Sequence, residues 1–478
     1  MQLFEWLFNF LHICILFAMR SNEDCIDVET PPGVPLSAQY MRSFAYATVK
    51  DRLPVILTQV IDHLVRDKEE IIKEHGEVAR EELKTVIGAF SQLKNEIQTN
   101  KPLTPLKSNS SDIKIWNSVL EEETKNKKHK WFNSDWLFSE CYMYRKVREI
   151  FELRYLASGN AFRDLHYTYK CGGSTISSIV KDTCQNIWNV LKESTFPMLT
   201  EEDWLNIAEG FKTNADFPNC IGAIDGQGLN LWGNRFDLSL SKGVQILITE
   251  NPLTYAENFK DDILVDDSDK IWEVLSEADE QNKLVDIVLD NAAYELFTDF
   301  CLADYLITAS LASKVRFYVK AMPWYVSDTV VNDFHWVIKT LILHDSKNVS
   351  DLASRWKKYL DSGKWVIEVK DFWTLPYGYN KMQEIRPELY AQLSQAQLVI
   401  FKGDLNYRKL VGDINWPPTE TFCNALQGFN PTNVITLRTI KADTICGLKP
   451  GQAEDTAAKN GDWLITGKYA VIQFCGKA

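Results

Sequence analysis

The sequence has no CxxC pair among its ten cysteines and no HExxH pair among its seven histidines, which excludes a zinc ribbon, a redox dithiol and a zincin helix. It has no excess of positive charge. Its 52 Lys and Arg stand against 65 Asp and Glu, and the net charge of −13 opposes a protein that coats nucleic acid or an anionic membrane. Any phosphate bound must therefore meet a local pocket. Long apolar runs are also absent from the first twenty residues. There Ile13 to Met19 is a stretch of seven, against the roughly 20 that a spanning helix needs. Glu5, Asn9 and His12 interrupt that region, no basic segment precedes it and no small-residue cleavage site follows. It reads as an extension, and no membrane partner is expected. The scattered cysteines read as free thiols in a reducing compartment, which predicts a cytoplasmic protein with the nucleus as the alternative.

What remains is an ordinary globular composition, 45% apolar and 24% charged, over 478 residues, which is room for two or three domains and a sizeable core. Residues 21 to 36, with Pro31, Pro32 and Pro35, read as a linker. Between Met41 and Lys94, Leu53, Ile56, Leu57, Val60, Ile61 and Leu64 recur at helical spacing opposite a charged face, so amphipathic helices are predicted there. Glu121 to Lys130 (EEETKNKKHK) reads as a solvated connector, and an aromatic-rich helix is predicted from Trp136 to Glu152. Beyond about residue 285, short apolar runs alternate with helical stretches: Val285–Leu289, Val315–Val319, Trp365–Val369, Leu398–Phe401 and Val434–Leu437. That alternation predicts an α/β fold, a mostly parallel sheet covered by helices on both faces.

The ends of those runs carry the chemistry. The first leads into Asp290 and Asn291, the second into a segment with Asp328, the fourth into Asp404, Arg408 and Lys409, and the fifth into Arg438 and Lys441. In an open parallel sheet the carboxyl ends of strands share one edge, where ligands bind. Asp290, Asn291 and Asp328 supply hard oxygen ligands suited to Mg or Mn. Arg408, Lys409 and Lys441 supply the cations an oxyanion requires. A metal on one side and basic groups on the other is a layout for phosphoryl chemistry. The alternative for any single aspartate is a helix N-cap.

WLFSECYMYRK, VLDNAAYELFTDFCLADYL, AMPWYVSDTVVNDFHW, FWTLPYGY, LVIFKGDLNYRKLVGD and LRTIKAD, in that order, resemble the damage-control phosphatase family. The subfamily carries an RTxK signature and is also named acidic-residue methyltransferase or sugar-phosphate phosphatase. The resemblance implies a helical N-terminal region, residues 34–152, packed on a three-layer α/β/α domain, residues 229–478, after an extension and linker at 1–33. It implies a metal-dependent phosphatase using Mn or Ni, with Co and Mg as alternatives, and sugar phosphates such as fructose 1-phosphate and fructose 6-phosphate as substrates. Asp290, Asn291 and Asp328 match the metal ligands, Asp290, Asp328 and Asp404 are the candidate catalytic residues, and Asp404, Leu405, Asn406, Tyr407 and Arg408 match the substrate loop. Lys441 matches the RTxK lysine, and Asp290 and Asn291 also face substrate. Arg408 and Lys441 are expected to neutralise the phosphoryl oxygens while a water or an aspartate attacks in line. A second activity attached to the family is S-adenosylmethionine-dependent methylation of protein carboxylates, with Glu295 and Asp328 matching cofactor positions. The segment DNAAYELF lacks the glycine-rich turn usual for that cofactor.

Residues 153–228 break the pattern. RYLASGNAFRDLHYTYKCGGSTISSIVKDTCQNIW, EEDWLNIAEGF and FPNCIGAIDG resemble the Harbinger-type transposase-derived nuclease family. Asp225 matches the first of its three acidic ligands, and Ser174 to Ile179 lie in a helix-turn-helix-like stretch. The sequence then returns to LNLWGNRFDLSLSKGV without the other two ligands, so strand cleavage is not expected, and DNA could be a partner through this insert alone. Asp261, Asp262, Asp266, Asp267 and Asp269 lack the spacing of a calcium loop and read as a solvated surface. His335 reads as a packed histidine.

Overall fold

The computed structural model describes residues 25–158, 259–277 and 283–477. Residues 1–20, the helix-turn-helix-like stretch and Asp225 lie outside the described residues.

The N-terminal helices are α1 (Leu53–Arg66), α2 (Lys68–His75), α3 (Val78–Gln98), α4 (Ile113–Lys125) and α5 (Trp136–Ser158). Leu53, Leu57 and Leu64 are buried, with Ile56, Val60 and Ile61 packed beside them, so the predicted stripe does face the core. The helical run is broken at Gly76, whose φ of 83° ends α2. Three differences from the sequence reading appear. The first half of EEETKNKKHK continues α4 and is not a connector, because Leu120 buries against the core. The proline-containing segment is docked: Gly33 N donates to Asn415 O, Asn415 N to Val34 O, and Leu36 N to Asp413 O. Finally, α5 runs to Ser158, past the expected boundary at residue 152.

The sheet has seven strands: β1 (Ile263–Asp266), β2 (Leu284–Val288), β3 (Lys314–Lys320), β4 (Trp365–Lys370), β5 (Leu398–Lys402), β6 (Asn433–Thr439) and β7 (Ala470–Cys475). Their order is β1-β7-β6-β5-β2-β3-β4. Strands β2 to β6 are mutually parallel, as predicted, and β7 alone among the described strands runs antiparallel to its neighbour β6. The sequence reading missed β1 and β7. Alternate residues face two cores: Val288, Tyr318, Val399 and Phe401 meet the N-terminal helices, while Ile287, Phe317 and Ile400 meet a second set. That set is α6 (Ser268–Ser276), α7 (Tyr294–Thr308), α8 (Val331–Ile342) and α9 (Lys347–Asp361), so the expected three layers are present. His335 is exposed on α8, which corrects its reading as a packed residue: the buried face of that helix is taken by Phe334, Val337, Ile338 and Leu341.

Cys423 and Cys475 are joined in a disulfide, whereas all ten thiols were expected free. The pair is 52 residues apart in sequence and only tertiary packing brings the Cα atoms to 5.3 Å, so no spacing motif betrays it.

From β2 the chain moves outward through β3 to β4, then returns to place β5 on the opposite flank of β2. The β2/β5 junction is thus the topological switch point, the place at which open α/β sheets bind ligands beyond their strand ends.

Candidate active site at the sheet edge

Strand β2 ends at Val288, and Asp290 and Asn291 follow before α7 begins at Tyr294. The turn closes through Ala293, held at φ 63° and ψ −122°, a conformation that favours glycine and is strained in alanine. Asp328 comes from the β3–α8 loop and is brought beside the β2 end by backbone pairing. Asn291 and Asp328 form an antiparallel bridge, Thr329 N donates to Asp290 O at 2.8 Å, and Ala292 N donates to Ser327 O at 2.8 Å. Two carboxylates 38 positions apart are therefore locked by main chain rather than by chance of side-chain rotamer.

The side chains then cross-brace. Asn291 Nδ2 donates to Asp290 Oδ2 at 3.0 Å and to Glu295 Oε2 at 2.9 Å, and Ser327 Oγ donates to Asn291 Oδ1 at 2.7 Å. Lys320, the last residue of β3, sits 3.2 Å from Asp328 Oδ2 and donates to Leu289 O. Burial pushes the Asp290 carboxyl well above the usual carboxylate range, and Glu295 and Asp328 push it further; Lys320 and Lys441 pull it back.

From the other flank comes α11 (Gly403–Leu410), which follows β5 directly; α10 is the short helix Pro387–Leu393. Gly403 has φ 82°, and a Cβ there would lie 1.8 Å from Asp290 Oδ2, so the glycine lets the helix start against that carboxylate. Asp404 is half-buried; its Oδ1 accepts from Arg438 Nε at 2.7 Å and from Lys441 N at 3.2 Å. It holds the Arg438–Lys441 segment in place.

The rest of the expected substrate loop has other duties. Leu405 is buried apolar surface. Asn406 donates to Lys402 O and Leu289 O and accepts from Tyr379 Oη at 2.5 Å. Tyr407 Oη pairs with Cys446. Arg408, expected to clamp phosphate oxygens, instead forks onto Asp413 through two 2.8 Å bonds, donates to Glu140 at 2.6 Å and lies 3.6 Å over the Trp136 ring. Lys409 donates to Trp373 O and Leu375 O. The helix that looks most like a basic anion site in sequence is largely a structural bracket.

Glu295 lies on the first turn of α7, with Oε1 accepting from Lys402 at 3.0 Å. Lys320, Ser327 and Gly403 escaped the sequence reading. Lys320 and Ser327 were legible as polar neighbours of a strand end and of Asp328; Gly403 opens the quoted GDLNYRK.

Asp290, Asn291 and Asp328 are an oxygen donor set, and a cation between them would turn the crowding around Asp290 into attraction, so the residues fit a divalent metal. Among the described residues no cluster of three or more His, Cys, Asp or Glu is arranged to hold an ion. No described helix is long and apolar enough to cross a membrane.

A family model for the damage-control phosphatase ARMT1-like domain matches residues 48–456, a span that runs across the transposase-like segment. The chain is 41% identical over 456 residues to "Damage-control phosphatase ARMT1" of Bos taurus, covering 93% of this chain and 99% of the relative. The counterparts with the same name from Xenopus tropicalis and Homo sapiens are each 40% identical, with 92% of this chain and 98% of the relative covered.

Proposed function

We propose that the crevice at the β2/β5 edge is a phosphatase site, on the premise that this chain belongs to the damage-control phosphatase ARMT1-like family. The chain is a damage-control phosphatase, a hydrolase of small-molecule phosphates. Its substrates, in our reading, are sugar phosphates such as fructose 1-phosphate and fructose 6-phosphate. One observation carries the assignment to this edge: Asp290, held by main chain against Asp328 and by Gly403 against α11, lies under the field of Lys441 and Lys320.

Asp290, Asn291 and Asp328 would hold the divalent cation, Mn or Ni with Co and Mg as alternatives. When bound, it supplies Lewis-acid polarisation of the phosphoryl oxygens. Lys441 then faces the anionic ester from the RTxK segment, and Asp404 keeps that segment oriented through Arg438. The neutralising duty expected of Arg408 falls to Lys441, because the Arg408 fork is committed to Asp413. Lys320 fixes Asp328 from beneath. Attack in line, by water or an aspartate, requires the ester to enter with its phosphate toward Asp290.

The methyltransferase reading rests on Glu295 and Asp328, which Lys402 and Lys320 engage, beside a turn whose residues are Asp290, Asn291, Ala292 and Ala293. Nothing in that geometry favours it over the phosphatase. Phosphate release from fructose 1-phosphate and fructose 6-phosphate, measured with each of the four metals, tests the proposal. Release that disappears in Asp290→Ala supports it; unchanged turnover in that variant, or none in the wild type, removes it.

A further inference from the structure

Glu140 is a buried carboxylate in the helical layer that reaches both flanks of the site. Its Oε2 accepts from Arg408 Nη1 at 2.6 Å and from Tyr325 Oη at 3.1 Å. Trp136, Glu140 and Tyr144 are four residues apart and so share one stripe of α5. Trp136 lies under Arg408, Glu140 bonds both partners, and the Tyr144 ring stacks on Tyr325 at 4.3 Å. Cys141 Sγ lies 3.5 Å from Tyr325 Oη.

Tyr325 stands in a costly backbone. Its φ is 43° and that of Val326 is 70°, two successive left-handed residues, the second β-branched and 61% exposed. Such a conformation persists when its surroundings over-determine it, and it clusters where a functional group must be aimed. The group here is Asp328, two positions beyond Val326. The exposed Val326 side chain contributes little holding force; within the turn Ser327 N donates to Tyr325 O and Asp328 N to Trp324 O, and the polar tie from the turn to the helical layer is the Tyr325 hydroxyl, which contacts Glu140 and Cys141 of α5.

We infer that Glu140 and Tyr325 are positioning residues: a latch from the helical layer that holds the left-handed turn at 325–326 and thereby aims Asp328 at Asp290. The latch explains why a metal-dependent sheet edge carries a helical layer at all, since α5 braces both the β3 loop and, through Arg408, α11. Its catalytic consequence rests on the phosphatase reading, but its structural one does not.

The test uses Tyr325→Phe, which keeps the ring stack and removes the hydroxyl, alongside Glu140→Gln and the double variant in the full chain. Hydrogen exchange is followed over residues 289–293 and 321–330, and kcat and KM for fructose 1-phosphate with Mn are measured in parallel. The amides of Ala292 and Thr329, which close the Asp290–Asp328 pairing, should exchange about tenfold faster in each single variant. The double variant should be no faster than Glu140→Gln, because one shared bond is lost. Exchange in α1 to α4 should be unchanged, and kcat should fall about tenfold with KM little altered. Wild-type exchange in the loop of both variants would overturn the latch, as would equal acceleration through the whole helical layer, the mark of a merely structural bond. If the wild type releases no phosphate while the loop loosens as stated, the latch stands and the phosphatase reading falls. If the wild type is active and Tyr325→Phe matches it in both exchange and kcat, the reverse holds.

Discussion

The two flanks of the crevice are built on opposite electrostatic terms. On the β2/β3 flank, Asp290, Asp328 and Glu295 are pressed together out of water, and Asp290 is left with its carboxyl far above the usual range. On the α11 flank, every polar side chain from Asn406 to Lys409 has a named partner within the fold: carbonyls for Asn406 and Lys409, Cys446 for Tyr407, Asp413 and Glu140 for Arg408. Crowded like charge is costly and persists where a ligand will relieve it, whereas compensated charge is a way to hold two layers in register. The first flank is the one that should answer to a ligand, and the second the one that should answer to denaturant.

The largest expected effect breaks the first flank. Asp290→Asn should cost on the order of 10³-fold in metal-dependent phosphate release without lowering the melting temperature, since it removes a crowded buried charge. Steady-state kinetics and a thermal melt check both halves. Next, Arg408→Ala leaves Asp413 and Glu140 buried without their counter-charge and should destabilise the chain by about 3–5 kcal/mol in urea unfolding. A variant that kept its stability and lost only phosphate affinity would make α11 a binding segment and dissolve the contrast. Gly403→Ala acts where the flanks touch. Its methyl would meet Asp290 at 1.8 Å in a left-handed backbone, so a loss of about 1–3 kcal/mol together with most activity is expected.

Two smaller effects sharpen the comparison by lying on either side of it. Glu123, in the helical layer, has its carboxyl pushed up to about 7, first by burial and then by Asp135. The native state therefore binds this proton more tightly than the unfolded chain, and stability falls as pH rises from about 4.5 to about 7. Glu123→Gln should flatten that slope and stabilise the chain at pH 8 by roughly 1–2 kcal/mol, the full linkage being discounted for partial exposure. Ala293→Gly, at the strained β2–α7 turn, should stabilise by about 1 kcal/mol, because the native dihedrals suit glycine. A melt of each variant over pH 4 to 9 suffices.

Periodicity made the five parallel strands visible to within a residue or two, because apolar residues dominate each run even where Asp286 and Arg316, paired with each other across β2 and β3, stand inside it. β7 was missed: its run AVIQFC carries a buried Gln473 that bonds Cys446 O and breaks the apolar pattern. β1 was missed because ILVD is four residues long and only half buried. Among the candidate site residues, Asp290 and Asn291 stand out in the sequence because they directly follow an apolar run, and Asp328 because it lies in the segment after the next run. Arg408 shows the limit of that signal: a cation after a strand looks alike whether its partner is phosphate or Asp413.

The order of apolar and polar residues alone determined a parallel sheet with acidic and basic groups at its carboxyl edge, because strand period and burial on both faces are local properties of the chain. Which of those groups face one another was decided by topology. Placing β5 beside β2 rather than beyond β4 brings Gly403 against Asp290, and laying α5 across the edge takes Arg408 out of the pocket and into a bracket. Partner choice among buried charges depends on distances across hundreds of residues, and no stretch of sequence contains those distances.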